Sequence, residues 1–217
     1  MTQMPGNQAV RPVTDPDELR TAPRFALMLR AGKLVSPAGE FLCILRDISS
    51  TGIKARLFHS LPAGKEFKLE LGNGELHRLE QVWQREGHAG FRFAKGPVDV
   101  SSLLDETGLF PKRQIRLRLQ LPVLVSAASA SGLGRLRDIS QHGALIESPS
   151  PLAIGAQVRL EAAGLPKLYA KVRWRRVLAH GLVFEQVFRL DELARLAAEV
   201  QRGIVSSVIP TCSDSEP

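Results

Sequence analysis

Arginine, aspartate, serine and glycine side chains occur in this chain at a spacing that suits the binding of an anionic ligand. The set is Arg20, Arg24, Asp47, Ser49 and Gly52. A guanidinium group binds phosphate through two parallel hydrogen bonds and also stacks on aromatic rings. A carboxylate at a turn accepts hydrogen bonds from two adjacent N–H donors, which the Watson–Crick edge of guanine offers. Serine adds one adaptable hydrogen bond, and glycine lets a ligand or a backbone approach closely. Together these residues suit a guanine nucleotide that carries phosphodiesters.

A second set of the same kind follows later in the chain. It consists of Lys112, Arg113, Arg116, Asp138, Ser140 and Gly143. The pentapeptide Leu-Arg-Asp-Ile-Ser at 45–49 returns at 136–140, which is an offset of 91 residues. The same offset relates Trp83 to Trp174. One register held across several residue types indicates two copies of a single module.

The second set departs from the first in its basic arm, the residues before the first strand. Lys112 stands where the first copy has an arginine, and lysine supplies charge without a planar fork. The last arm arginine also lies 22 residues before the aspartate, from Arg116 to Asp138, against 23 in the first copy. We therefore expect the first copy to bind ligand, and the second to bind it more weakly or to serve as a scaffold or effector face.

Short strands must position these residues. Apolar and alternating runs between glycine- and proline-containing turns predict six strands in each copy. The first six are 25–35, 40–47, 53–57, 67–71, 76–85 and 90–93, and the second six are 117–128, 133–138, 144–147, 158–161, 169–177 and 181–184. Such spacing favours a sandwich or a barrel.

Helices are predicted after each set of strands. A short helix is expected over 98–107, and a longer one is capped by Asp191 and ended by Gly203. Its apolar face would cover an open barrel end. The predicted organisation is a disordered leader (1–16), a first barrel (17–108), a second barrel with the C-terminal helix (109–205) and a disordered tail (206–217).

Composition narrows the class of protein. A formal net charge of +7 favours an anionic partner: a nucleotide, a nucleic acid or an acidic surface. The chain has two cysteines, Cys43 and Cys212, which give no disulfide framework. Residues 1–16 lack the apolar segment of a signal peptide, and no run approaches the ~18 apolar residues of a membrane helix. These features predict a cytoplasmic protein without membrane insertion.

Catalytic and metal-binding motifs are absent from the sequence. There is no phosphate-binding loop, His-Glu-x-x-His or Cys-x-x-Cys, and the histidines lack metal-ligand spacing. His142 is the one histidine inside a repeated motif and is interpreted as a solvated turn residue. We therefore expect no enzyme activity, no metal and no cofactor. A basic cluster around Trp174 could imitate a nucleic-acid surface, but tryptophan at this position is more simply a core residue.

The first set resembles the signature of a known family. Arg20-x-x-x-Arg24 followed by Asp47-x-Ser49-x-x-Gly52 is similar to the signature of PilZ domains, bacterial receptors for the second messenger cyclic di-GMP. The resemblance implies that Arg20 and Arg24 hold phosphates and guanine faces. It also implies that Asp47 and Ser49 read guanine edges, and that Gly52 leaves room for the ligand.

Later segments in both copies extend the resemblance. Those similar to the final strands of the family are 81–83, 90–93, 172–174 and 181–184. The resemblance covers nearly everything between residues 18 and 204. It implies a mainly β fold with two tandem six-stranded antiparallel barrels, each followed by a short or terminal helix, and arms that close over ligand on the barrel face.

The function implied is that of a tandem receptor for cyclic di-GMP. It would pass the signal to motility, exopolysaccharide or related machinery through a downstream protein that the sequence does not identify. Because the second arm is also the linker between the modules, ligand there would reorient one barrel against the other. The alternatives are a non-binding interaction scaffold and, ranked last, a basic nucleic-acid-binding protein, since no helix-turn-helix or exposed aromatic platform is evident.

Overall fold

The computed structural model describes residues 25–71, 74–104, 114–128 and 130–208. The first six strands are β1 (Phe25–Ser36), β2 (Gly39–Ile48), β3 (Gly52–Leu57), β4 (Glu66–Glu70), β5 (Leu76–Arg85) and β6 (His88–Phe93). The second six are β7 (Leu117–Ala127), β8 (Ala130–Ile139), β9 (Gly143–Glu147), β10 (Gln157–Glu161), β11 (Leu168–Arg176) and β12 (Ala179–Phe184). The helices are α1 (Val100–Leu104) and α2 (Leu190–Val208). The predicted leader, the tail from residue 209 and the arm residues Arg20, Arg24, Lys112 and Arg113 lie outside the described residues.

Each set of six strands closes into an antiparallel barrel. The strand order is β1-β2-β3-β6-β5-β4 in the first barrel and β10-β11-β12-β9-β8-β7 in the second. In β7, buried and exposed side chains alternate from Leu117 to Leu124, because successive residues of a strand point to opposite faces. The predicted mainly β fold of two six-stranded barrels is therefore confirmed.

A β-bulge explains why the arm-to-aspartate spacing differs by one residue. In the first barrel the pairing of β1 with β2 shifts between Ala26 and Arg30, and in the second that of β7 with β8 shifts between Arg118 and Leu121. The first bulge thus holds one residue more than the second. Ala26 and Arg118, before the bulges, are 92 residues apart, whereas Arg30 and Leu121, after them, are 91 apart. A bulge takes up an extra residue by bending one strand, so both aspartates keep the same register.

The C-terminal helix differs from its prediction at both ends. It begins at Leu190, so Asp191 lies within the first turn and pairs with Arg195 instead of capping the helix. The side chain of Glu192 accepts from the backbone N–H of Arg189 at the helix start. The helix also continues past Gly203 to Val208. A glycine within a helix disfavours it by ~1 kcal/mol, which the packing of the helix overrides.

The packing of α2 explains this length, because the helix contacts both barrels. Leu193, Ala197 and Val200 belong to the core of the second barrel, whereas Ala198 belongs to the core of the first. The sequence pattern predicted contact with a barrel end but not this position between the barrels. The helix is therefore part of the interface between the two modules.

A buried polar network joins the two barrels. The Lys33 ammonium group lies 3.1 Å from Glu40 and 2.9 Å from Glu70, and it donates to the backbone carbonyl of Arg116 at 3.0 Å. Glu40 in turn accepts from the backbone N–H of Arg118 at 2.9 Å. Lys33 is only 3% exposed, because the second barrel covers it. We call these residues the junction network.

Helix α2 seals the same junction through one glutamine. The Gln201 side chain accepts from the backbone N–H of Glu40 at 2.7 Å and donates to the Glu40 carbonyl at 2.9 Å. Gly39 has φ of 136°, and a Cβ atom there would lie 2.1 Å from Oε1 of Gln201, so this position favours glycine. The C-terminal helix is thereby hydrogen-bonded to the first hairpin of the chain.

Candidate functional site

The Asp-Ser-Gly turns have the same internal bonding in both barrels. The Ser140 hydroxyl is buried and donates to the Gly143 carbonyl at 3.1 Å, and the backbone N–H of Ser140 donates to the same oxygen at 2.8 Å. In the first barrel the Ser49 hydroxyl donates to the Gly52 carbonyl at 3.3 Å. The serines predicted to contact ligand thus hold the shape of their own turns.

The glycines of the motif are required by a neighbouring strand. A Cβ atom at Gly143 would lie 2.0 Å from the Leu182 carbonyl oxygen, and one at Gly52 would lie 2.3 Å from that of Phe91. No real Cβ atom tolerates such contacts with a rigid backbone. The close approach allowed by glycine is therefore an approach of the barrel's own backbone.

An arm arginine contacts the aspartate in the second barrel. Arg116 immediately precedes β7, and its guanidinium donates to Oδ1 of Asp138 at 2.7 Å. The Asp138 side chain is 19% exposed and that of Arg116 is 49% exposed. The pair is therefore accessible from solvent, and the structure brings together these two predicted site residues. Asp47 has the corresponding position in the first barrel, opposite Ala26.

The aspartate belongs to a row of cross-strand neighbours on the outer face of the second barrel. Arg118 stands opposite Asp138, Asp138 opposite Leu145, Leu145 opposite Gly181, and Gly181 opposite Trp174. Directly opposed residues in antiparallel strands project to the same side of the sheet. With strands ~4.8 Å apart, the three steps from aspartate to tryptophan span roughly 14 Å.

The first barrel carries the corresponding row. Asp47 stands opposite Lys54, Lys54 opposite Gly90, and Gly90 opposite Trp83. The two rows differ at both neighbours of the aspartate. Asp47 stands between Ala26 and Lys54, whereas Asp138 stands between Arg118 and Leu145. Each row thus has one cation next to the carboxylate, on opposite sides of it.

Both tryptophans lie on the surface, so the prediction that they are core residues is wrong. Trp83 is 36% exposed and Trp174 is 44% exposed. Each indole lies over a glycine of the adjacent strand, since a Cβ at Gly90 or Gly181 would be 2.1 Å from the indole Nε1. The repeated tryptophan–glycine pairs at the 91-residue offset were the sequence signal for this arrangement.

The arrangement suits a planar anionic ligand. The guanidinium offers a fork for phosphate, the carboxylate accepts from purine N–H groups, and the indole provides an exposed aromatic surface. His142 is exposed, as predicted. Within the described ranges, no group of three histidine, cysteine, aspartate or glutamate side chains could hold a metal ion. No helix of the described chain is long and apolar enough to span a bilayer.

Comparisons with known proteins give one family match and several structural matches. The family model described as "PilZ domain" matches residues 111–202. No curated protein matches the chain. Among solved structures, PlzA of Borreliella burgdorferi in complex with c-di-GMP is 14% identical with a TM-score of 0.33, and the match covers 85% of this chain and 95% of PlzA.

Two further structural matches have the same character. The motility inhibitor MotI/DgrA of Bacillus subtilis is 10% identical with a TM-score of 0.33, and the match covers 84% of this chain and 100% of that chain. YcgR from Escherichia coli in complex with c-di-GMP is 13% identical with a TM-score of 0.26, and the match covers 82% of this chain and 83% of YcgR. The family match, however, lies on the barrel that contains the Arg116–Asp138 pair. Residues 111–202 of this chain therefore match the PilZ domain family, which the sequence resembled.

Proposed function

We propose that this protein is a receptor for cyclic di-GMP that acts as an effector on another protein. The observation that carries the proposal is the Arg116–Asp138 contact, on the outer face of a barrel that matches the PilZ family. Arg116 would hold a phosphate and stack on a guanine, and Asp138 would accept from the guanine edge. The Trp174 indole, in the same row, supplies an aromatic surface near the ligand.

The remaining predicted site residues have supporting roles in the second barrel. Lys112 and Arg113 would add arm charge for the phosphates. Ser140 and Gly143 would keep Asp138 in place through the turn described above. We expect this site to be weaker than the first, because lysine offers no planar fork.

The first barrel would bind through the corresponding residues. Arg20 and Arg24 would form the arm, and Asp47 would read the guanine edge. Ser49 and Gly52 hold the turn that carries Asp47. Lys54, which stands directly opposite Asp47, would add a further phosphate contact there.

Signal transmission would pass through the junction network. Arg116 offers its side chain to the ligand site and its carbonyl to Lys33 of the first barrel. Ligand that repositions Arg116 would therefore change the bonding between the barrels. Such coupling requires that the ligand bind one arrangement of the barrels more tightly than the other. The downstream partner would belong to motility, exopolysaccharide or related machinery.

Titration calorimetry with cyclic di-GMP tests the proposal. We expect binding by the full chain, a larger loss of affinity in Asp47→Ala than in Asp138→Ala, and the weakest binding when both aspartates are replaced. Cyclic di-AMP is the matched control ligand, because adenine lacks the N1–H and 2-amino donors of guanine from which the carboxylate would accept. A lost hydrogen bond to a charged group corresponds to roughly 1.5–3 kcal/mol, or about ten- to a hundredfold in Kd.

The arm arginines give an independent test. Arg24→Ala and Arg116→Ala each replace a residue that precedes the first strand of a barrel, so circular dichroism should be unchanged. Arg24→Ala should weaken binding more than Arg116→Ala. The opposite order would assign the main site to the second barrel. Absence of binding by the full chain would favour an interaction scaffold instead.

A further inference from the structure

One end of the second barrel carries a group of exposed apolar side chains. Strand β12 pairs with β9 from Val183 at the Asp-Ser-Gly turn to Ala179 at the opposite end, so the hairpin after β11 points away from that turn. The exposed residues are Leu133 (71%), Ile154 (65%), Val177 (92%) and Leu178 (52%). We call them the apolar end. They lie at the opposite end of the barrel from the candidate nucleotide site.

Three separate segments bring these residues to the same end. Leu133 lies in the β7–β8 hairpin, whose turn follows Ala127. Ile154 lies in the segment before β10, where Gly155 donates to the Val172 carbonyl. Val177 and Leu178 form the tip of the β11–β12 hairpin. The apolar end is therefore a feature of the folded barrel and not of one stretch of sequence.

The first barrel provides an internal comparison, because it has the same fold without this apolar end. At the 91-residue offset the corresponding residues are Leu42, Ala63, Glu86 and Gly87. Leu42 is buried between the barrels, at 1% exposure. The hairpin tip itself is Glu-Gly in the first barrel and Val-Leu in the second. The barrel fold therefore does not require apolar residues at its hairpin tip.

The conformation of the tip makes its valine unfavourable on structural grounds alone. Val177 has φ of 50°, and Glu86 has φ of 49° at the same position of the first barrel. A β-branched residue is strained in this left-handed region. Since its side chain is almost fully exposed, burial in the barrel does not offset the strain.

Arginines flank the apolar tip. Arg175 stands opposite His180 and Arg176 opposite Ala179, directly beside the tip. Among the described residues, neither Arg175 nor Arg176 has an ion-pair partner. The acid at the end of β9, Glu147, is paired with Arg137 at 3.3 Å.

We propose that the apolar end of the second barrel docks on the surface of an anionic lipid bilayer. Val177 and Leu178 would enter the headgroup region, while Arg175 and Arg176 bind lipid phosphates. Apolar side chains beside arginines match an interface that offers both acyl chains and anionic headgroups. A nucleic acid would instead leave these apolar side chains against a charged backbone. The proposal does not depend on nucleotide binding.

Co-sedimentation of the full chain with lipid vesicles tests this proposal. The probes are vesicles of phosphatidylcholine mixed with phosphatidylglycerol, and vesicles of phosphatidylcholine alone. We expect the protein to sediment with the mixed vesicles and to be released as salt screens the charges. The main variant is Val177→Glu with Leu178→Gly, which gives the tip the sequence of the first barrel, where Glu86 has φ of 49° against 50° for Val177. It should lower the partition coefficient roughly tenfold or more.

Matched controls separate the tip from a general charge effect. Val187 is exposed on the same barrel. The backbone N–H of the neighbouring Phe188 donates to the carbonyl of Gln141, in the Asp-Ser-Gly turn. Val187 therefore lies at the end of the barrel opposite to the apolar end. Val187→Glu should sediment like the wild type, whereas Arg175→Gln with Arg176→Gln should bind less and lose most of the salt dependence. Circular dichroism should be the same for every variant.

Three results would overturn the proposal. The first is that the wild type does not sediment with the anionic vesicles. The second is that the Val177→Glu, Leu178→Gly variant sediments as well as the wild type. The third is binding to a DNA duplex, measured by fluorescence anisotropy, without binding to vesicles, which would assign the apolar end to a nucleic acid.

Discussion

Replacing Lys33 tests whether the junction network stabilises the protein. Leu124 occupies the corresponding position of the second barrel, so Lys33→Leu introduces a residue that this fold already accommodates. The substitution removes the ammonium group that contacts Glu40, Glu70 and the Arg116 carbonyl. Glu40 would remain buried, and its remaining cation would be the Arg118 guanidinium, which is 3.7 Å away and 79% exposed.

The expected loss follows from the burial of each partner. Removing one member of a buried ion pair destabilises a protein by about 3–5 kcal/mol. The side chain of Glu70 is 34% exposed, so its pairing adds little. We therefore expect a loss of about 3–4 kcal/mol. With a urea dependence of about 2 kcal/mol/M, the unfolding midpoint should fall by roughly 1.5–2 M.

Urea unfolding followed by circular dichroism measures this loss. Lys68→Leu is the matched control, because Lys68 is exposed on the adjacent strand β4 and its replacement should change stability by less than about 0.5 kcal/mol. The double variant Lys33→Leu with Glu40→Ser reproduces Leu124 and Ser131 of the second barrel. It should be at least about 1 kcal/mol more stable than additivity predicts. A Lys33→Leu variant within 1 kcal/mol of the wild type, or strict additivity, would refute the reasoning.

Three further predictions concern the barrels. Gly181→Ala should destabilise the protein by about 1–3 kcal/mol in urea unfolding, because the added Cβ meets the Trp174 indole. A Cβ atom at Gly203 meets nothing within 4 Å, so Gly203→Ala should stabilise the protein by up to about 1 kcal/mol. Equal changes in stability for the two variants would contradict the packing of Trp174 on Gly181. Burial raises the pKa of Cys43 to about 12, so in a Cys212→Ser background the native protein should resist a thiol reagent at neutral pH and react after unfolding; rapid native reaction would show that the thiol is accessible. Burial lowers the pKa of His180 from 6.5, so the unfolded state binds more protons than the folded state, and the urea midpoint should fall as pH drops below about 6.5. His180→Gln should flatten that slope, and an unchanged slope would remove His180 as its cause.

Local sequence pattern predicted the strands because each strand shows its own periodicity. The run from Phe67 to Leu71 alternates, and the structure has β4 there. The bulges did not follow from sequence, since they depend on the register of two strands. The one-residue difference in arm spacing was visible, but its place in the strands was not.

The outer-face row was also beyond reach of the sequence. Asp138 and Trp174 are 36 residues apart and meet in one row through the pairing of four strands. The junction had a weaker signal. Residues 40–45 of β2 are all buried, which requires cover on both faces. The apolar run at 41–45 indicated this, but not that the cover is the second barrel and its helix.

The bond between Gln201 and Glu40 has a consequence for synthesis. The β1–β2 hairpin emerges from the ribosome before the helix that covers it, because Gln201 is translated 161 residues after Glu40. Until then, Leu42 and Ile44 on the outside of the nascent first barrel have no cover. Leu42 and Ile44 of the first module therefore become buried only after the second module has been translated. A stop codon before residue 201 would leave this apolar surface exposed on an otherwise complete barrel, where it would promote aggregation.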